Sequence, residues 1–138
     1  MIRVVAAIIE HRGRLLICQR RAGDVFELKW EFPGGKIRRG EHPRAALARE
    51  LREELAVAVD IGREIFRTRH RYAGMATVVD ITFFAATHPF PAPRNIVFER
   101  IVWARPTDLL RYDFLAADCA LIARLVRGEF VTPVRERP

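Results

Sequence analysis

The alternation of apolar and polar positions divides this chain into strands arranged around one strongly helical stretch. Residues 2–10 (IRVVAAIIE) form an almost continuous apolar run, the pattern of a strand buried on both faces. His11-Arg12-Gly13 reads as a turn and 14–19 (RLLICQ) as the return strand of a hairpin. A loop is expected over 20–28, after which Trp30-Glu31-Phe32-Pro33 leads into Gly34-Gly35, with Pro33 fixing the backbone ahead of the glycines. Paired glycines permit positive φ and close backbone approach to a ligand. From Pro43 to about Leu55 the Ala, Leu, Arg and Glu content favours helix. His42 sits at the N-cap position and Pro43 at the first turn, where its missing N–H costs nothing. Leu47, Leu51 and Leu55 fall at i, i+4 and i+8, a stripe that can pack into a core.

In the second half, 57–72 predicts a strand broken at Gly62, and 75–86 (MATVVDITFFAA) predicts a core strand rich in β-branched and aromatic residues. Residues 87–95 (THPFPAPRN) carry three prolines and read as a loop. A further strand is expected over 96–104, a helical turn over 106–110, and a terminal amphipathic helix over 118–126 (DCALIARLV). The tail at 128–138 is expected to fray. Strands on both sides of one helix, with a second helix near the end, predict a mixed α/β (α+β) fold. At 138 residues the size fits a single domain spanning 1–138.

Composition narrows the setting. Half of the residues are hydrophobic, yet no apolar run approaches the ~20 residues needed to span a membrane, so no membrane partner is expected. There is no signal-peptide pattern at the start. Cys18 and Cys119 form no metal-like cluster; reduced thiols in a cytoplasmic protein are expected, with a disulfide left as the alternative. The net charge of +7 arises from 24 basic and 17 acidic residues, and a positive field attracts phosphate-bearing ligands. The arginines are spread along the chain rather than gathered, so stable nucleic-acid binding is not expected.

The candidate chemistry lies on the central helix. At about 100° per residue, Glu50, Glu53 and Glu54 share one face. Three carboxylates within one turn repel, and a hard divalent cation with oxygen ligands relieves that repulsion. A solvated acidic face neutralised by Arg49 and Arg52 would account for the same residues.

The spacing adds a resemblance. Gly35, Glu41, Arg49, Glu50, Leu51, Glu53, Glu54 and Val57 stand where the Nudix box has its fixed positions, spanning 35–57. Ala56 departs, where the family usually has glycine. A glycine there usually lets the chain leave the helix through a left-handed conformation, so alanine either costs on the order of 1 kcal/mol or the helix ends differently; neither removes a ligand. WEFPGGKI and the FLAAD segment are similar to the MutT-like branch of Nudix hydrolases.

The resemblance implies the Nudix fold, a mixed β-sheet sandwiched between α-helices. It implies Mg²⁺, with Mn²⁺ as substitute, held by Glu50, Glu53, Glu54 and the Gly34 carbonyl. Arg49 would orient the glutamates, Glu41 would support the metal site or its loop, and Arg49, Glu50 and Glu53 would form the catalytic group. Glu99 is the candidate for a base on a later loop, or else a surface glutamate. Substrate contacts fall on Arg20, Arg21, Gly35, Lys36 and Asp118. Asp118 is either the N-cap of the last helix or a reader of the nucleotide base; ionised, it accepts hydrogen bonds from an amino group of guanine or cytosine. Phe114 and Leu115 line a base pocket or pack in the core, and His70 lies at the surface or touches substrate.

The activity implied is Mg-dependent pyrophosphohydrolysis of a (deoxy)nucleoside triphosphate to monophosphate and pyrophosphate. An 8-oxo-dGTP-type nucleotide fits best, making the protein a nucleotide-pool sanitiser, with a (d)CTP-type substrate next. Alternatives are another nucleoside diphosphate derivative, such as ADP-ribose or a dinucleotide, and a non-catalytic nucleotide-sensing module. No proline occurs between Val57 and Pro89, which counts against ADP-ribose, and the full set of box glutamates counts against a sensor.

Overall fold

A computed structural model describes residues 1–131. Its elements are β1 (Ile2–His11), β2 (Arg14–Gln19), β3 (Trp30–Glu31), β4 (Gly34–Lys36), α1 (Pro43–Leu55), β5 (Ala58–His70), β6 (Val79–Phe90), β7 (Arg100–Ala104) and α2 (Cys119–Val126). Short 3₁₀ helices occupy Pro106–Arg111 and Ala116–Asp118.

The sheet is mixed. β1 runs parallel to β6, while β4 pairs antiparallel with β1 and β5 antiparallel with β6. β2 separates from β1 after Glu10↔Leu15 and His11↔Arg14, and carries β3 and β7 on its two sides. The apolar run of β1 follows from this placement. Its successive side chains alternate between faces, and both faces are covered. Val5, Ala7 and Ile9 pack with Leu47, Leu51 and Leu55 of α1. Ala6 and Ile8 pack with Phe32, Phe83, Leu121 and Leu125, beneath α2. The expected sandwich of a mixed sheet between helices is the fold observed.

The ends of α1 follow local rules. His42 Nδ1 accepts the Arg44 N–H at 3.1 Å, capping the start. Ala56 closes the helix in the left-handed region (φ 49°, ψ 40°), its N–H bonded to Arg52 O.

Several boundaries differ from expectation. The glycine pair, given no element from its pattern alone, forms strand β4, held against Val5 and Ala6 of β1. Gly62 does not break β5; the strand passes through it on a register shift between Ile61 and Glu64, and a Cβ there would lie 3.1 Å from Ala85 O. β6 begins at Val79 and runs on through 87–90, because the long β5 offers partners as far as Ala58↔Phe90. β7 begins only at Arg100, since Asn95 exchanges hydrogen bonds with Phe98 N and O (2.8 and 2.9 Å) and curls the preceding segment. Both cysteines are free, Cys18 buried and Cys119 exposed. In the tail, Glu129 pairs with Arg124 and Arg127, and Phe130 packs on the core; the rest of the segment expected to fray lies outside the described residues. No helix among the described residues is long and apolar enough to cross a membrane.

Candidate active site

β4 lies between β1 and α1, so its glycines meet the acidic face of the helix. Gly34 (φ +154°) could not carry a side chain, since its Cβ would strike the Val5 carbonyl and stand 2.7 Å from Ala6 Cα. Its N–H donates to Glu54 Oε1 at 3.1 Å. A Cβ on Gly35 would fall 2.6 and 2.7 Å from the Glu50 carboxylate oxygens, so glycine there makes room for that carboxylate.

Arg49 ties the group together. Its Nε and Nη2 donate to the two oxygens of Glu41 (2.8 and 2.9 Å), the fork-to-fork geometry of a strong pair. Nη1 reaches Glu50 Oε1 (2.9 Å) and Glu53 Oε2 (3.3 Å), and Nη2 also reaches Lys36 O (3.1 Å). These bonds, together with the Arg38 N–H, hold the Glu41 carboxyl down at about 2. Glu41 is thereby a fixed anion behind Arg49, in line with a supporting position. Glu53 is half exposed, with Arg38 at 3.8 Å.

Glu54 behaves oppositely. Burial, then the charges of Glu50, Glu31 and Glu53, push its carboxyl up to about 8, against the opposing Gly34 N–H. Among the described residues no three His, Cys, Asp or Glu side chains already converge as a metal cage. The donor set nonetheless fits a hard divalent cation: oxygen-only, crowded, and carrying one carboxyl whose proton affinity is raised by burial and then by neighbouring negative charge.

From this end a cleft of about 590 Å³ runs along the sheet. Gly34, Gly35, Lys36 and Glu54 line one part; Glu31, Arg20, Phe26, Tyr72, Leu115 and Asp118 line the rest. Asp118 is 4% exposed and its Oδ2 has no hydrogen-bond partner among the described residues. It does not cap α2, because a 3₁₀ turn runs directly into that helix and Asp118 is itself helical (φ −90°, ψ −14°). Burial and the Glu31 charge raise its carboxyl well above the usual range. A buried polar atom without a partner requires an explanation, and Asp118 is a residue of the cleft wall.

The other sequence candidates separate. Arg20 lines the cleft but is committed, Nε to Val25 O (2.7 Å) and Nη1 to Glu31 (3.0 Å). Arg21 donates to Ile96 O and is not among the cleft residues. Glu99 is not among the cleft residues, although Val97 and Phe98 are; its Oε1 accepts the Ala22 N–H at 3.3 Å, tying the 20–29 loop to the segment before β7. Phe114 is core, 5.3 Å from Phe32, while Leu115 lines the cleft. His70 stacks on Tyr72 rather than entering the cleft.

Sequence reasoning missed Glu31, Phe26 and Tyr72. Glu31 carried a signal, an acidic residue between two aromatics whose rings are buried. Phe26 and Tyr72 carried none, since only the fold brings their rings to 4.5 Å.

Known proteins resemble the chain along most of its length. A family model described as the NUDIX domain matches residues 1–125. The CTP pyrophosphohydrolase of Escherichia coli (strain K12) is 34% identical over 122 residues, covering 88% of this chain and 89% of that protein. The 8-oxo-dGTP diphosphatase of Haemophilus influenzae is 31% identical over 127 residues, covering 91% and 92%. The solution structure of the E. coli ORF135 protein superposes with a TM-score of 0.81 at 32% identity, covering 94% of this chain and 91% of that one.

Proposed function

Because this chain belongs to the Nudix domain family, we propose that it hydrolyses a (deoxy)nucleoside triphosphate to monophosphate and pyrophosphate. One observation carries the reading: a single cleft joins Glu54 of the box to the buried Asp118, whose Oδ2 has no hydrogen-bond partner among the described residues. The first end suits phosphates and a divalent ion, and the second suits a base. Two relatives named for nucleoside triphosphates support it. The free thiols suit a cytoplasmic setting.

Glu50, Glu53 and Glu54, with the Gly34 carbonyl, would hold Mg²⁺ or Mn²⁺. Such an ion neutralises phosphate charge and lowers the pKa of bound water. This chain's own residues then act as follows. Arg49, braced by Glu41, sets the positions of Glu50 and Glu53. Glu54, with its high proton affinity, can hold a proton or give it up when a cation arrives. Lys36 brings positive charge to the phosphate end, and Phe26, Tyr72 and Leu115 exclude water around the base. Asp118 meets the base through its free oxygen. An amino group satisfies that acceptor, and both cytosine and an oxidised guanine present one.

The test is pyrophosphate release with Mg²⁺ over canonical and oxidised nucleoside triphosphates, with ADP-ribose and a dinucleoside polyphosphate alongside. Preference for 8-oxo-dGTP or a cytidine triphosphate is expected. Activity confined to ADP-ribose or the dinucleotide would overturn the substrate. Glu53→Gln should abolish hydrolysis while the fold and much of the nucleotide binding persist; normal turnover by that variant would remove the metal assignment.

A further inference from the structure

We propose that a phosphate-type anion binds in a second hollow, of about 630 Å³, between the end of β5 and the segment entering β6. Arg69, His70, Arg71 and Thr77 line it, together with Ala76 and Val78.

The charge there exceeds what the fold uses. Asp80 is the buried acid of this region, its side chain 0% exposed. Arg67 already satisfies it with two hydrogen bonds, 3.0 Å to Oδ1 and 2.8 Å to Oδ2. Arg69 places a second cation 3.6 Å from the same carboxylate, and Arg3 stands opposite Asp80 in the strand register. Glu64 lies farther along β5 and acts on Arg67. Arg71 is exposed and makes no ion pair among the described residues. Arg69 and Arg71 thus face one hollow with little compensating charge. Guanidinium groups bind phosphate oxygens through paired hydrogen bonds, and the His70 ring and Thr77 hydroxyl add donors beyond what two carboxylate oxygens would accept.

The hollow also touches the cleft. The His70 ring packs edge-on against Tyr72 (centroids 4.5 Å, 70°), and Tyr72 packs on Phe26 at 4.5 Å. Both Tyr72 and Phe26 line the cleft, so an anion held by His70 and Arg71 steadies that wall. Inorganic phosphate and pyrophosphate share the required chemistry. That pyrophosphate is at hand as a product rests on the function proposed above; the site itself does not.

The experiment is calorimetric titration of orthophosphate and of pyrophosphate into the metal-free protein, where the box carboxylates repel both, with the His70 ring signals followed by NMR. Binding is expected, with shifted His70 signals. Arg71→Gln should weaken it about tenfold or more in Kd, while Lys36→Gln, in the cleft, leaves it unchanged. Tighter binding of pyrophosphate marks the reaction product as the ligand, and equal binding marks the free phosphate ion. No binding at millimolar anion, wild-type affinity in a folded Arg71→Gln, or loss in Lys36→Gln would overturn the site. No turnover is required, so an inactive enzyme that still binds the anion would sink the proposed function and not this inference.

Discussion

Gly35 and Glu50 occupy one another's space: a Cβ on residue 35 would stand 2.6 Å from Glu50 Oε2. Gly35→Ala must therefore move the Glu50 carboxylate, while the β4 backbone can stay in place. A displacement of about 1 Å at such a centre costs about 10²-fold in rate, and kcat/KM should fall by about that much with little change in Tm. Gly34→Ala should differ, because its Cβ would meet the β1 backbone rather than a side chain. That variant should lose stability first. Activity and melting curves for the pair separate the two effects; an active, stable Gly34→Ala would contradict the close packing of β4.

Glu54 makes the metal-free protein sensitive to pH. Its folded carboxyl titrates at about 8, above the 4.5 of an unperturbed glutamate. The unfolded chain thus gives up this proton first, and stability declines as pH rises from about 4.5 to about 8. Glu54→Gln should remove that decline. Melting both proteins without divalent ions across this range checks it, and parallel curves would refute the assignment.

Glu41 works in the reverse sense. Arg49 and the Arg38 N–H hold it at about 2, so its contribution is present above about 4.5 and lost as pH falls toward 2. Glu41→Gln should be less stable than wild type at neutral pH, with the gap closing in acid. Its kcat should fall as Arg49 loses its brace. Equal kcat would show that Arg49 holds Glu50 and Glu53 unaided.

Asp118 is buried without a full set of partners, and burial and Glu31 disfavour its charge. Asp118→Asn should raise Tm at neutral pH and change the order of preference among bases, because an amide also donates. An unchanged order across the nucleotide panel would separate Asp118 from base reading.

Ala56 sits at φ 49°. Ala56→Gly should stabilise the protein by about 1 kcal/mol, a rise of a few degrees in Tm, with activity intact.

Sequence alone determined the elements whose signals are local. α1 was legible at both ends because proline, the N-cap and the leucine stripe act within a turn or two, and the glutamate face follows from helical geometry. The double-faced burial of β1 was equally plain in its unbroken apolar run. Tertiary structure decided what depends on partners distant in the chain. Gly62 stays in β5 because β6 pairs across it, and Gly34-Gly35 become a strand because β1 accepts them. Glu99 and Arg21 turn to the loop around Ala22 and Ile96 instead of the cleft. Asp118 illustrates the division best. Its type and place beside an apolar helix allowed either a cap or a base contact, and local chemistry could not separate them. Burial without a partner for Oδ2 depends on where α2, Tyr72 and Glu31 come to rest, which only packing of the whole chain settles.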